Sequence, residues 1–136
     1  MQKSTYENKV NVPEAFPPQH QIQQPGSQQR MSPKPIAVNP DYKPAGKLLG
    51  KSIVVTGGDS GIGQAAAVAF AREGADVAIV FLSERGDATE TKQLIEQQGK
   101  KCMLIDCDLR NEVTAAAAID KTVGAFVKLD ELVNNI

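Results

Sequence analysis

Three glycines, Gly57, Gly61 and Gly63, have the spacing Gly-x-x-x-Gly-x-Gly and are the residues best suited to hold a ligand. They lie between a β-branched run at residues 53–55 and an alanine-rich stretch at residues 64–73, the context of a turn from a strand into a helix. Glycine there lets the backbone approach a phosphate, and the first free amides of the helix point at the anion. The pattern predicts a phosphate-binding turn, with a turn that binds nothing as the alternative.

Two other groupings of chemical side chains are less complete. Asp106 and Asp108 lie two apart on one face of a predicted strand, as a carboxylate pair or metal site requires, but no histidine or third carboxylate is nearby. Ser60 has the hydroxyl of a nucleophile, yet the only histidine, His20, is far away in the sequence. We therefore expect no metal ligand and no nucleophilic serine.

The elements that position these residues follow from apolar periodicity after residue 45. Strands are predicted near residues 53–56, 77–82, 102–107 and 129–133, and helices over residues 64–73, 88–98 and 111–127. This alternation predicts an α/β fold with a Rossmann-type parallel sheet, and right-handed crossovers give the strand order 3-2-1-4. In the third helix, Val113, Ala117, Val123 and Phe126 are expected to face inward. In the first helix, Ile62 recurs at helical spacing with Ala66, Ala69 and Phe70, and Glu131 is expected inside the fourth strand.

The first 44 residues have a different composition. They contain all eight prolines and a glutamine cluster, but few aliphatic residues. Such a segment buries too little apolar surface to offset its ordering entropy. We predict a disordered, flexible Pro/Gln-rich arm at residues 1–44, mobile or loosely docked, before a domain at residues 45–136. A polyproline ligand for a partner domain is the alternative.

Composition excludes several classes of partner. The chain has 15 basic and 16 acidic residues, so its net charge of −1 favours neither nucleic acid nor an anionic membrane. No apolar run is long enough to span a bilayer, and the N-terminus lacks the apolar segment of a secretory signal. Cys102 and Cys107 are five apart on a predicted strand, which points them to opposite faces and away from a disulfide. These features predict a cytoplasmic protein.

The motifs together carry a family resemblance. The sequence Thr56-Gly57-x-x-x-Gly61-Ile62-Gly63 resembles the cofactor motif of the short-chain dehydrogenase/reductase family, and Asp108-Leu109 and Asn134-Asn135 fall where that family has two further motifs. The chain, with its arm, is similar to a bacterial branch that includes general-stress and glucose/ribitol-dehydrogenase-like members. A flavodoxin-like phosphate binder is the alternative, but its loop would not explain Asp108 or the asparagine pair.

The resemblance implies a nicotinamide dinucleotide as partner. The turn at residues 57–63, including Asp59, Ser60 and Ile62, would hold the pyrophosphate and adjoining ribose. Asp108 would accept a hydrogen bond from the adenine amino group, with Leu109 near the ring. Asn134 and Asn135 would belong to the cofactor site, with Asn135 beside the cofactor ribose. Glu84, at the expected acidic position after the second strand, favours NAD; its neighbour Arg85 leaves NADP possible.

The family's catalytic Ser and Tyr-x-x-x-Lys are absent. The only tyrosines are Tyr6 and Tyr42, and neither is followed by a lysine four positions later. We assign no catalytic residue. The chain is interpreted as a truncated cofactor-binding half without strands 5 to 7, with Ile136 where the family has alanine. By family it is an NAD(P)-dependent oxidoreductase acting on an alcohol or carbonyl; alone it is expected to be inactive. A binding module without catalysis and a non-functional remnant are the alternatives, and the oligomeric state stays open.

Overall fold

A computed structural model describes residues 14–136, so the first thirteen residues of the predicted arm, Tyr6 among them, lie outside the described part. A short 3-10 helix covers Gln28–Arg30. The strands are β1 (Ser52–Thr56), β2 (Asp76–Phe81), β3 (Cys102–Asp106) and β4 (Glu131–Val133). The helices are α1 (Gly61–Arg72), α2 (Arg85–Glu96) and α3 (Glu112–Phe126).

The four strands form one parallel sheet in the order β3-β2-β1-β4. This confirms the predicted Rossmann-type α/β fold. Because every strand runs the same way, the residues that follow β1, β2, β3 and β4 all meet at one edge of the sheet. Crevices at this carboxyl edge are where open α/β sheets bind ligands.

Successive strand residues point to opposite faces of the sheet, and an apolar layer covers each face. On one face, Ile53 and Val55 of β1 pack with residues of α1 and α2; on the other, Val54 packs with Ala118 of α3. Cys102 belongs to the first layer and Cys107 to the second, and both are free, as their spacing predicted. Burial raises the pKa of the Cys102 thiol to about 12, so this cysteine is a packing residue and not a reactive thiolate.

Four side chains that the sequence pattern placed on an apolar helix face or inside a strand are exposed. Ile62 lies in the first turn of α1, and 82% of it is exposed because it packs in neither apolar layer. In α3 the buried positions are Ala118 and Thr122, so Val113 and Val123 point outward. Glu131 is also exposed, because β4 is a three-residue edge strand with no layer covering it.

The later part of the arm packs against the C-terminal end of α1. Only 5% of Glu73 is exposed. Its carboxylate accepts hydrogen bonds from the Ala45 and Lys47 amides and from the Tyr42 hydroxyl. The Arg72 guanidinium donates to the backbone oxygens of Asn39 and Tyr42 and lies 5.1 Å from the Tyr42 ring centre. In the described residues this part of the arm contacts the domain through these hydrogen bonds, and the predicted flexibility of the arm stays a prediction.

Within residues 14–136 no helix has the length and apolar character needed to cross a membrane. The cytoplasmic location and the boundary between arm and domain stay predictions.

Candidate functional site

A cavity of about 780 Å³ opens at the carboxyl edge of the sheet. It brings together the ends of all four strands: Thr56 at the end of β1 with Gly57, Asp59 and Ser60 after it; Leu82, Ser83 and Glu84 after β2; Cys107, Asp108 and Leu109 after β3; and Asn134 and Asn135 after β4. Most of the site residues that the sequence predicted line it. Gly61, Ile62 and Gly63 do not; they form the first turn of α1 beside it.

The glycine turn is built on contacts that only glycine permits. Gly57 and Gly61 have φ of +63° and +54°, in the left-handed region that side chains disfavour. A Cβ on Gly63 would lie 2.1 Å from the carbonyl oxygen of Gly57, closer than any side chain can approach. The turn therefore folds back on itself, and α1 starts directly against the end of β1.

The start of α1 presents unpaired amides, as an anion site requires. The first hydrogen bond of the helix runs from Gln64 N–H to the Ser60 oxygen at 3.1 Å, so the amides of Ile62 and Gly63 have no acceptor within the helix. Ser60 is the N-cap residue, but its side chain makes no capping hydrogen bond. These donors and the macrodipole suit a diphosphate. Burial raises the pKa of the nearby Asp59 carboxyl. Hydrogen bonds from its own backbone amide and from the Ser60 side chain lower that pKa, but by less than burial raises it.

Asp108 is held by a neighbouring cation. Arg110 Nε and Nη2 lie 3.0 and 2.7 Å from the two carboxylate oxygens, and this pairing lowers the pKa of Asp108 to about 2. Oδ1 also accepts from the Arg110 backbone amide at 3.0 Å, so a further hydrogen bond from an amino group would be accepted by Oδ2. The Asp108 carbonyl accepts from Thr114 Oγ1 at 2.8 Å, which ties the segment to α3.

The end of β4 is tied to the glycine turn. The Asn135 amide donates to Thr56 Oγ1 at 2.9 Å, and Asn135 Nδ2 donates to the Gly57 carbonyl at 3.2 Å. Asn135 therefore fixes the turn from the β4 side, while Asn134 is exposed at the cavity. A Cβ on Gly57 would meet Ile136 Cγ1 and Asn135 Nδ2, each at 3.0 Å, so the two segments are in contact.

The two charged residues after β2 have separate surroundings. Glu84 is the N-cap residue of α2 and lines the cavity. The Arg85 guanidinium lies 3.5 Å from Asp106 and 5.5 Å from the Phe81 ring centre, at the end of β3. Asp106 is thus an ion-pair partner, and residues 14–136 contain no group of three His, Cys, Asp or Glu side chains able to hold a metal.

The site includes one residue that sequence reasoning missed, Gln28 of the arm. Its Oε1 accepts from the Gly61 amide at 2.7 Å, and its Nε2 donates to Gln64 Oε1 at 2.7 Å. Only 6% of Gln28 is exposed. The glutamine cluster was the available signal, but a polar residue in a proline-rich segment gives no indication of a partner more than thirty residues away.

The sheet order, the glycine-rich turn after β1 and the cavity at the switch point define a Rossmann-type α/β domain. Residues 51–136 match the short chain dehydrogenase family. The chain belongs to this family, as its motifs indicated.

Three curated proteins illustrate the similarity. The uncharacterized oxidoreductase YhdF of Bacillus subtilis (strain 168) is 51% identical over 118 residues, which cover 87% of this chain and 41% of that protein. General stress protein 39 of the same strain is 50% identical over 126 residues, covering 93% and 44%. Glucose and ribitol dehydrogenase of Daucus carota is 44% identical over 126 residues, covering 88% and 43%. The chain thus spans less than half the length of these relatives.

Solved structures share the fold. A short chain dehydrogenase from Burkholderia cenocepacia J2315, in complex with NADP, is 40% identical with a TM-score of 0.62; the match covers 66% of this chain and 37% of that one. Carveol dehydrogenase from Mycobacterium avium, in complex with NAD, is 26% identical with a TM-score of 0.64, covering 68% and 37%.

Proposed function

We propose that this chain is the cofactor-binding part of an NAD(P)-dependent oxidoreductase and binds a nicotinamide dinucleotide in the cavity at the carboxyl edge of the sheet. The observation that carries the proposal is the approach of Gly63 to the Gly57 carbonyl, in a turn that leaves the amides of Ile62 and Gly63 open to an anion. When bound, the cofactor would supply hydride chemistry between its nicotinamide and an alcohol or carbonyl substrate.

The cavity and the adjoining first turn of α1 both have roles in this proposal. The amides of Ile62 and Gly63 and the Ser60 hydroxyl bind the diphosphate. The Asp108 carboxylate accepts a hydrogen bond from the adenine amino group, with Leu109 packed beside the ring. Asn134 and Asn135 lie next to the nicotinamide-side ribose, where Asn135 also keeps the glycine turn in place.

We propose binding, and not turnover, for these 136 residues. The sequence contains no Tyr-x-x-x-Lys. Tyr42 does not substitute for the family's tyrosine, because its hydroxyl donates to Glu73 and this hydrogen bond raises the pKa of Tyr42. A tyrosine that serves as a base needs a lowered pKa.

The decisive experiment is a titration of the 136-residue chain with NADH and NADPH. The chain has no tryptophan, so the fluorescence of the reduced nicotinamide reports binding directly. We expect saturable enhancement of NADH fluorescence, displaced by ADP, and no oxidation of added alcohols. A cofactor signal that stays linear with concentration would contradict the proposal.

We further propose that NAD is the preferred cofactor. Glu84 lines the cavity where the 2′-hydroxyl of the adenosine ribose binds in such folds, and an acidic group there disfavours a 2′-phosphate. Arg85 is directed to Asp106 and away from that position. We expect Glu84→Gln to lower the ratio of NADH to NADPH affinity by about tenfold, the effect of one charged hydrogen bond.

The matched control is Glu90→Gln, because Glu90 lies in α2, the helix that begins directly after Glu84, and pairs with Lys34 at the surface. It should leave the affinity ratio unchanged. Equal ratios for both variants would contradict the role of Glu84 in cofactor choice.

A further inference from the structure

The contact between Gln28 and the glycine turn belongs to a buried polar network. Gln64 Nε2 donates to Thr91 Oγ1 at 2.9 Å, and that hydroxyl lies 3.0 Å from the Asp59 carbonyl oxygen. Both Gln64 and Thr91 are almost completely buried. The connected side chains of Gln28, Gln64 and Thr91 therefore hold the turn at two atoms, the Gly61 amide and the Asp59 carbonyl oxygen. A buried polar network whose groups are all hydrogen-bonded is rigid.

The arm backbone is fixed separately at the start of α2. The Asp87 carboxylate, buried in the first turn of that helix, accepts from the Gln28 amide at 2.6 Å and from the Gln29 amide at 3.1 Å. A Cβ on Gly86 would meet the Gln29 side chain at 3.1 Å, so the arm lies directly against the helix. This contact places the arm next to the residues that follow β2, Glu84 among them.

The segment just before Gln28 reaches the cavity itself. The Gln21 side chain bonds both the amide and the carbonyl of Ser27, each at 2.7 Å, and so closes a loop over residues 22–26. At its tip, Gln24 and Pro25 line the same cavity as Ser83 and Glu84.

We propose that arm residues 24–28 are a component of the dinucleotide site, an inference that rests on the proposed function. Gln28 is a positioning residue: it holds the glycine turn in the geometry that opens the Ile62 and Gly63 amides to the diphosphate. Gln24 and Pro25 form the wall of the cavity on the side of the adenosine ribose. The arm then contributes to cofactor affinity although it lies outside the family-matched residues 51–136.

The test replaces Gln28 by methionine, which keeps the length of the side chain and removes its hydrogen bonds. We expect the Kd for NADH to rise about tenfold, as for one lost buried hydrogen bond, and the Gly61 amide of the cofactor-free protein to exchange its hydrogen faster. Binding is measured at a temperature at which circular dichroism shows each variant fully folded.

The control is Gln19→Met in the same arm. The Gln19 side chain bonds the backbone of Ser32 at 3.1 Å and is exposed, without contact to the turn. This variant should change neither the NADH affinity nor the exchange of the Gly61 amide.

A second variant, Gln28→Glu, separates positioning from general stability. A glutamate still accepts from the Gly61 amide but brings a negative charge to the turn. We expect NADH and ADP to bind more weakly to it than to Gln28→Met at low salt, with the difference between the two variants shrinking as salt is added.

The outcomes distinguish the inference from the function on which it rests. If the wild-type chain binds NADH and both Gln28 variants only lower the melting temperature, the role of the arm is overturned while the proposed function stands. If the wild-type chain binds no dinucleotide, the proposed function and the arm's share in it both fall. Unchanged Gly61 exchange in Gln28→Met would overturn the positioning role by itself.

Discussion

The α-carbon of Gly63 faces the carbonyl oxygen of Gly57 so closely that a Cβ there would lie 2.1 Å from it. The nearest atom, the Gly57 carbonyl oxygen, is backbone, so no side-chain rotation can relieve that contact. The side-chain nitrogen Nδ2 of Asn135, which donates a hydrogen bond to the same carbonyl, would be 2.6 Å from that Cβ. The end of β1, the start of α1 and the end of β4 therefore meet at one glycine.

Gly63→Ala tests this close approach. We expect a loss of about 1–3 kcal/mol in the free energy of unfolding, typical of overpacking, because the turn must open to admit the methyl group. NADH affinity should fall more than tenfold, since the amides of Ile62 and Gly63 move with the turn. Chemical denaturation and the NADH titration measure the two effects.

The matched control for that variant is Gly124→Ala in α3. A Cβ on Gly124 meets nothing within 4 Å, so alanine should stabilise the helix by about 0.5–1 kcal/mol through its better helix propensity. Equal effects of the two substitutions on stability would show that the turn accommodates a side chain.

Asp108→Ala tests the adenine contact. We expect dinucleotide affinity to fall about tenfold, while Asp120→Ala, at an exposed position of α3 outside the cavity, leaves it unchanged. Because Arg110 holds the pKa of Asp108 at about 2, the carboxylate stays ionised, and the affinity difference should be constant from pH 8 down to about pH 4, near the pKa of an ordinary aspartate. Calorimetric titrations across this range measure it. A difference that fades between pH 5 and 4 would contradict this assignment.

Glu73 makes docking of the arm sensitive to acid. The hydrogen bond from Tyr42, followed by that from the Lys47 amide, holds the pKa of Glu73 below its usual value in the folded protein. The unfolded chain therefore binds the proton more tightly, so this stabilisation is complete above the unfolded pKa of about 4.3 and is lost as the pH falls through the folded one. Thermal melts between pH 7 and 3 should show the wild-type melting temperature falling towards that of Glu73→Gln.

Tyr42→Phe supplies the intermediate case, because it removes the hydroxyl but keeps the Ala45 and Lys47 amides that also bond Glu73. Its melting temperature should depend on pH less steeply than that of the wild type and more steeply than that of Glu73→Gln. Parallel melting curves for all three proteins would contradict the linkage.

The local sequence was sufficient to predict the strands and the strand-end residues that line the cavity. The runs at Ile53–Val55 and Val77–Phe81 are apolar on both faces, so they had to be buried strands, and right-handed crossovers then left one strand order. The same reasoning failed at Ile62 and Glu131. Helical spacing places a side chain on a face, but whether that face meets another layer depends on where the sheet edge ends.

The sequence by itself determined the family, the sheet order and the set of strand ends that meet at the cavity, because each depends on short-range periodicity and on motif spacing. Only the tertiary structure decided the position of the arm. Gln28 is bound by Gly61, Gln64 and Asp87, residues distant in the chain, and no local pattern specifies such partners. A polar residue becomes buried when folding brings complementary donors and acceptors around it, and that complementarity exists only in three dimensions.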